Sequence, residues 1–477
     1  MIDQTHLSAL QTILGEANVV TDAATMVAYQ TGARYDEGLA AVVLRPRTTE
    51  DVSATVAYCM KNGLHIVPQS GNTGLVSGST PDGSGSQIVL SLDRLTARFD
   101  LDLDNRTLTL SGGFTLSEIN RRLERHGMFF PIDLAGDPRI AGMAATNTGG
   151  SRYIKYGDVR RNVLGITVVL ADASGIVLKL GSDLRKNNTG IDWKHVFIGS
   201  CGAFGIITEC TINLEYLPRQ TATAYLVPAS GQSVMPLLRV MERKFGAYLS
   251  AFEGMSGNAI AAGLSHVPSL RNPFQGGQVP QYVILLEISR SWDVRVGEQS
   301  LEAVVEEVLS EVWESRPELM ADAVVGPTEQ MWAMRHALSD SLRHVGKLIA
   351  FDLSFKRQET LTFCDYMRRE MPHKFADVRI CDFGHVGDGG VHFNLVVPMQ
   401  SKLLEKPDFE VCLRDWVFQV AVETFGGSFS AEHGIGRKNQ AFYDRFTDAA
   451  IKDLAGNLKS ALRLGDMGAA RFEGAAS

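Results

Sequence analysis

"HIVPQSGNTGL", residues 65–75, reads as a strand that runs into a glycine-rich loop. Glycine lets backbone amides approach a ligand closely, and successive amides form an anion-binding concavity. A second loop, "MAATNTGGSRYIKYGD" at 143–158, repeats this chemistry. Ser70, Thr73, Thr146 and Asn147 add side-chain donors. Two such loops suit a pyrophosphate better than a single phosphate. The chain has neither G-x-G-x-x-G nor G-x-x-x-x-G-K-[ST], so the Rossmann and P-loop readings lose their signature.

Working outward, "AAVVLRP" (Ala40–Pro46) is a short strand ended by proline. "TTEDVSATVAYCMKNG" follows as a helix, with Thr48 and Asp51 spaced as a capping box and Gly63 as its stop. "IVLSLDRL", "RTLTLSGGFT", "LGITVVLADASGIVLKL" and "GIITECTINLEYLP" are β runs, the third with a hairpin turn at Asp172–Gly175. "TLSEINRRLERHG" is an amphipathic helix with Leu116, Ile119 and Leu123 on one face. After Pro218 longer helices, near 298–315, 328–344 and 357–371, alternate with the strands "TAYLVP", "YVILLEISR", "LIAFDLSF" and "VRICDFGHVGDGGVHFNLVVP". The pattern predicts an α+β domain with an antiparallel sheet. A long helix near 402–425 leads into a glycine-rich return. The domains expected are 1–218, 219–425 and a C-terminal segment, 426–477, that packs back on the first.

The totals exclude several classes. A length of 477 residues with ordinary apolar content supports two or three domains, each with a core. A net charge of −8 without a basic run argues against nucleic acid and anionic membrane partners. The six cysteines are scattered without C-x-x-C, against zinc-finger, iron–sulfur and disulfide-framework readings. The N-terminal "MIDQTHLSALQTILGE" reads as an amphipathic helix rather than a signal peptide, and no stretch has the apolar length of a membrane span. A soluble cytoplasmic protein is expected.

"GHVGDGGVH" (384–392) and "SAEHGIG" (430–436) carry imidazoles and a carboxylate on permissive backbone. Neutral imidazoles and a carboxylate are good ligands for zinc or manganese. Read alone, His385 and His392 fit two core histidines at least as well.

The ordered set "PQSGNTGLVSGS", "ATNTGGSRYIKYGDVRRNVLGITVVLADASG" and "KNNTGIDWKHVFIGSCGAFGIITECTI" closely resembles the FAD-binding domain of the vanillyl-alcohol-oxidase (PCMH-type) superfamily. "GHVGDGGVHFNLV" and "SAEHGIG" narrow the resemblance to the branch of D-2-hydroxyglutarate dehydrogenases, D-lactate dehydrogenases and the glycolate oxidase FAD subunit. It spans roughly residues 35–440. It implies an α+β fold: a FAD domain of two α+β subdomains and an α+β cap carrying the substrate site.

By the same resemblance Pro68, Gln69, Ser70, Gly71, Asn72, Thr73, Gly74 and Leu75 hold the pyrophosphate of FAD. Pro131, Asp133, Gly142, Thr146, Asn147, Gly149 and Gly150 line the flavin, and Tyr156 and Gly157 join the cofactor site. Gly205, Ile206 and Ile207 run beside the adenosine. Some members attach flavin through a loop histidine or cysteine. "PQSGNTG" has neither, so FAD is expected to be non-covalent, with His65 a structural strand residue. His385, His392 and Glu432 match the family's metal ligands, and zinc or manganese is implied. His433 matches the base that takes the hydroxyl proton, with a ligand or carboxylate-donor role as the alternative. Arg335, from "MWAMR", Ser339 one turn later, and Asn394 match substrate-binding positions.

The implied activity is oxidation of a D-2-hydroxy acid to the 2-oxo acid, with electrons leaving to an electron-transfer flavoprotein, a quinone or oxygen. An alcohol- or aldehyde-oxidising flavoprotein of the same superfamily, or a FAD subunit of a larger complex, are the rivals. A homodimer is compatible with the sequence. Three positions and the tail depart from the pattern. Cys201 replaces a usual glutamate. Ala350 stands where 2-hydroxyglutarate dehydrogenases commonly carry lysine, with Lys347 three residues earlier. Asn439 holds a usual lysine position. The tail "LGDMGAARFEGAAS" lacks the usual asparagine–proline–glycine–lysine run.

Overall fold

The computed structural model describes residues 2–34 and 37–474. The chain forms two compact units, one of Met1–Gly149, Asp158–Tyr216 and Glu432–Ser477, the other of Gly150–Gly157 and Leu217–Ala431. The sequence reading ran the first domain unbroken to 218 and began the return at 426. The structure assigns residues 150–157 to the second unit and begins the return at Glu432.

The first unit holds two principal sheets. Ala40–Leu44, Gln87–Ser91 and Ile66–Gln69 pair in parallel, with Val19–Val20 antiparallel at one edge. Phe99–Asp102, Thr107–Ser111, Gly205–Asn213, Val163–Leu170 and Val177–Gly181 form an antiparallel five-stranded sheet. The helix Thr49–Lys61 begins with the expected box: Thr48 Oγ1 accepts from Asp51 N, and Asp51 returns to Thr48 N. Such a cap stabilises by ~1 kcal/mol. The helix Leu116–Glu124 buries Leu116, Ile119 and Leu123. One continuous core joins these elements and includes Leu464 and Met467 of the C-terminal segment. His65, on the way into the Ile66–Gln69 strand, bonds the Gly468 carbonyl through Nε2 at 2.9 Å.

The second unit is built on one antiparallel sheet, ordered Met320–Gly326, Gln220–Pro228, Tyr282–Arg290, Leu249–Ser256, Phe383–Gly384, Gly390–Val397, Lys347–Ser354, with Arg379–Ile380 also paired to Gly390–Val397. Leu249–Ser256 was not among the expected strands. All eight of its residues are buried, so it shows no alternation, and Ser250, Glu253 and Gly254 dilute its apolar character. The expected helix at 402–425 is shorter. A 3₁₀ turn at Lys402–Glu405 precedes Pro407, the α-helix runs Phe409–Gln419, and its last turn widens to π at Val420–Thr424. Proline disfavours helix in the residue before it, which separates the two pieces. Arg152 docks its segment by a bidentate pair to buried Glu287, 2.8 and 2.9 Å, and Trp332 Nε1 donates to the same carboxylate at 2.7 Å.

Candidate active site

In the first unit the loop at 68–75 meets the helix Ile140–Thr146, which leads into the second glycine loop. Ser70 Oγ accepts from Gly142 N at 3.2 Å. A Cβ on Gly71 would lie 3.1 Å from Arg139 N and 3.2 Å from Pro138 Cα, and one on Gly142 would lie 3.0 Å from Ser70 Cβ. Only glycine permits that approach without displacement. The amide side chains brace the loops. Gln69 Nε2 donates to Tyr29 O and Ser79 O, and Asn72 Nδ2 donates to Thr31 O. Asn147, in the left-handed region at φ 52°, accepts from Arg160 N and donates to Asp158. Thr146 Oγ1 donates to Gly142 O. Gln69, Asn72 and Asn147 thus set the loop shape, while backbone amides remain the feature that fits a dinucleotide phosphate.

Gly205, Ile206 and Ile207 lie on the Gly205–Asn213 strand with both isoleucine side chains in the core. Pro131 and Gly149 are buried, and Asp133 is half-buried. Gly150, Tyr156 and Gly157, from the later part of the second glycine loop, belong to the second unit.

The "EHGIG" turn is also seated within the first unit. Ile435 N donates to Cys201 Sγ at 3.3 Å, and Cys201 holds φ 51°. A Cβ on Gly436 would meet Val76 O at 2.3 Å. Asn439, buried, accepts from Gly436 N and donates to Gly434 O, both 2.9 Å. Asn439 in place of lysine therefore closes the turn that follows His433. Arg437 reaches Thr80 and Pro81 oxygens. Glu432 and His433 are half-buried. The atypical tail is packed: Gln440 brackets Arg471 by two 2.8 Å bonds and Tyr443 donates to Phe472 O.

The second unit gathers polar groups on one sheet face. Cα pairing runs Met255 to Phe383, Phe383 to His392, His392 to Asp352, and Asn394 to Ala350. Directly paired residues share a face, as do residues two apart, so Glu253, His392, Asn394, Ala350 and Asp352 look the same way. His385 follows Phe383 at the turn. Gly384, at φ 150°, would set a Cβ 2.9 Å from His392 N. The His385 carbonyl accepts from Asp388, Gly389 and Gly390 amides at 3.0–3.1 Å, which closes the loop tightly. The two imidazoles end 5.1 Å apart, nearly perpendicular. Asp352 Oδ2 accepts from Ala431 N at 3.0 Å, and Glu432 follows in the chain.

Behind His385 stands a residue the sequence did not flag. Glu253, 1 % exposed, accepts from His385 Nδ1 at 2.8 Å through Oε1. Its Oε2 takes Arg335 Nε at 3.0 Å and lies 2.8 Å from Nη2. Burial pushes the Glu253 carboxyl up, but the His385 and Arg335 charges and hydrogen bonds outweigh it and hold the group at about 2. Arg335 is buried and packs over Phe383, 4.8 Å from the ring centre. The Nε–Nη2 edge of its fork is taken by Glu253; the Nη1 end is the part left to address a ligand. Breaking such a buried pair costs about 3–5 kcal/mol. Ser339 shares the Thr328–Ser341 helix and is half-buried.

Lys347 does not replace the missing lysine. The ladder from Lys347–Val397 to Ser354–Gly390 has no bulge, so Lys347 and Ala350 face opposite sides. Lys347 Nζ pairs with Glu410 at 2.8 Å. A separate group, His266, Asp340 and His344, has ligand atoms within 4.8 Å of one another. Its imidazoles are stacked at 3.6 Å and 17°, and lone pairs in parallel planes do not converge on one ion.

No described helix is long and apolar enough to cross a membrane. Residues 40–181 match the FAD binding domain family, and 217–462 match the family of FAD linked oxidases, C-terminal domain. The D-2-hydroxyglutarate dehydrogenase, mitochondrial, of Danio rerio is 33% identical, over 89% of this chain and 77% of its own length. That of Arabidopsis thaliana is 31% identical, over 95% and 80%. The solved 4-ethylphenol oxidase from Gulosibacter chungangensis shares the fold at a TM-score of 0.69 and 16% identity, over 96% of this chain and 94% of that one. The glycine-loop unit and the antiparallel unit are thus the FAD-binding and C-terminal parts of an FAD-dependent oxidoreductase, and the chain belongs to the FAD-linked oxidase family, in the branch that holds the D-2-hydroxyglutarate dehydrogenases.

Proposed function

We propose that this enzyme oxidises a D-2-hydroxy acid to the 2-oxo acid with non-covalent FAD and a divalent metal. The observation that carries the reading is the face of the second unit's sheet, where two perpendicular imidazoles lie beside Asn394 and the Glu253–Arg335 pair. FAD, when bound, supplies the acceptor for the Cα hydride. His385, His392 and Glu432 would hold a zinc or manganese ion, which would supply Lewis acidity when bound.

The chain's own residues do the rest. Arg335 and Asn394 hold the substrate carboxylate and fix the Cα–H direction, with Ser339 one turn from Arg335 on the same helix. His433 accepts the hydroxyl proton on an imidazole nitrogen and passes it to solvent. Asn439 and Cys201 keep the turn after His433 in one shape. Electrons then leave to an electron-transfer flavoprotein or a quinone. The expectation of a cytoplasmic protein stands beside relatives whose names place them in mitochondria.

Anaerobic mixing of the FAD-loaded chain with a panel of D- and L-2-hydroxy acids tests this. Flavin bleaching by D-acids and not by their L-enantiomers is expected. Bleaching by simple alcohols or phenols, or by none of the acids, overturns it.

A further inference from the structure

Glu253 lies on the strand whose burial hid it from sequence reading, yet it touches both groups that the proposed chemistry needs. We propose that Glu253 is a positioning residue that fixes the His385 tautomer for metal binding while holding Arg335 in place for the substrate carboxylate. The proposal rests on the metal reading above.

The argument begins with donor and acceptor count. A carboxylate only accepts. Oε2 is committed to Arg335, a permanently charged donor, at 2.8–3.0 Å. Oε1 faces His385 Nδ1 at 2.8 Å. With Glu253 ionised, Nδ1 must carry the hydrogen. The lone pair of the neutral ring then sits on Nε2, the nitrogen that points away from Glu253. Metal-binding histidines are commonly oriented in this way by a carboxylate on the other nitrogen.

The fit to a metal stands on the same observation. A half-buried imidazole held by an ionised carboxylate has one nitrogen defined as donor and the other as ligand, and His392 sits 5.1 Å away, ring centre to ring centre. Glu253 is 1 % exposed and its two partners reach it from the Thr328–Ser341 helix and from the turn after Phe383. One carboxylate therefore sets the metal-side and carboxylate-side groups in a fixed relation.

Glu253→Gln separates this from a packing role, because the amide is isosteric. Arg335 demands an acceptor, so the Gln carbonyl turns to it. The NH₂ then faces His385 Nδ1, which becomes the acceptor, and the ring hydrogen moves to Nε2. The substitution inverts the tautomer at nearly constant volume.

The FAD-loaded full chain, stripped of metal by a chelator, would be titrated with zinc against a chromophoric competitor. Zinc affinity should fall ~10- to 100-fold or more in Glu253→Gln, the usual effect of losing an outer-shell carboxylate, with FAD retained. In ¹⁵N-histidine-labelled metal-free wild type, titrated upward until the ring is neutral, His385 should show a protonated Nδ1. The signal would be assigned by its loss in His385→Ala. This second readout needs no Glu253 variant and stands even if Glu253→Gln fails to fold. Zinc bound by wild type and equally by Glu253→Gln, or a wild-type His385 protonated on Nε2, overturns the role of Glu253 alone. Zinc bound no better by wild type than by His385→Ala overturns the metal reading and the role with it.

Discussion

Ala350 is the direct ladder partner of Asn394, and the two side chains share the face that carries His392 and Asp352. A lysine at 350 would project beside Asn394, the residue proposed to hold the substrate carboxylate. Alanine brings no charge there, and Lys347 is held by Glu410 on the other side of the strand. A second substrate carboxylate there loses one charge-assisted bond, worth ~1.5–3 kcal/mol, or about 10- to 150-fold. Ala350→Lys should raise kcat/KM for D-2-hydroxyglutarate by ~10-fold or more and leave D-lactate nearly unchanged. A wild type that already prefers D-2-hydroxyglutarate over D-lactate by several orders of magnitude contradicts this.

His433→Asn should keep FAD and metal but slow flavin reduction by ~10²-fold or more, the usual worth of a general base. Stopped-flow single turnovers measure it directly. Near-normal rates would assign the proton to another group.

Removal of divalent metal should abolish substrate-driven bleaching while the flavin spectrum stays that of bound FAD. Elemental analysis must accompany the assay. Full activity in a metal-free preparation rules out metal assistance.

Acid precipitation should leave a colourless pellet and a yellow supernatant, because the loop at 68–75 offers no histidine or cysteine for a flavin bond. A washed pellet that stays yellow shows covalent attachment elsewhere.

Thiol reactivity should mark one cysteine. Cys412 is exposed. Burial pushes the Cys59, Cys210 and Cys381 thiols up to about 12, Cys201 to about 11 and Cys364 well above its ordinary value, so they stay protonated at neutral pH. Native chain should show a single fast thiol with a chromogenic disulfide, absent from Cys412→Ser. Two or more fast thiols would contradict the burial.

The glycine loops, the Thr48–Asp51 box, the hairpin at 172–175 and the helix face of Leu116, Ile119 and Leu123 were legible because each is a local signal: a turn, a cap or a period. The antiparallel second sheet followed from the alternation of helices with single strands after Pro218. Glu253 was not legible. It lies on a fully buried strand without alternation, and its partners are 82 and 132 residues away. Nothing in the sequence pairs a lone interior glutamate with a particular imidazole. The roles of Asn439 and Cys201 were hidden for a similar reason. Each answers to a backbone amide in a turn, and a backbone amide leaves no mark on residue identity.

The chain crosses between its two units at 149/150, 157/158, 216/217 and 431/432. This has a bearing on biogenesis. The first unit draws Leu464 and Met467 into its core, so it cannot close until the ribosome has passed those residues. The second unit needs Arg152, made early, to cover the buried charge of Glu287, made much later. Neither half is a unit of synthesis. A nascent chain stopped at 216 exposes the apolar surface that Leu464 and Met467 would cover, which invites aggregation or chaperone capture. Released fragments 1–216 and 217–431 should each be poorly soluble, and co-expression of 1–431 with 432–477 should restore what neither piece achieves alone.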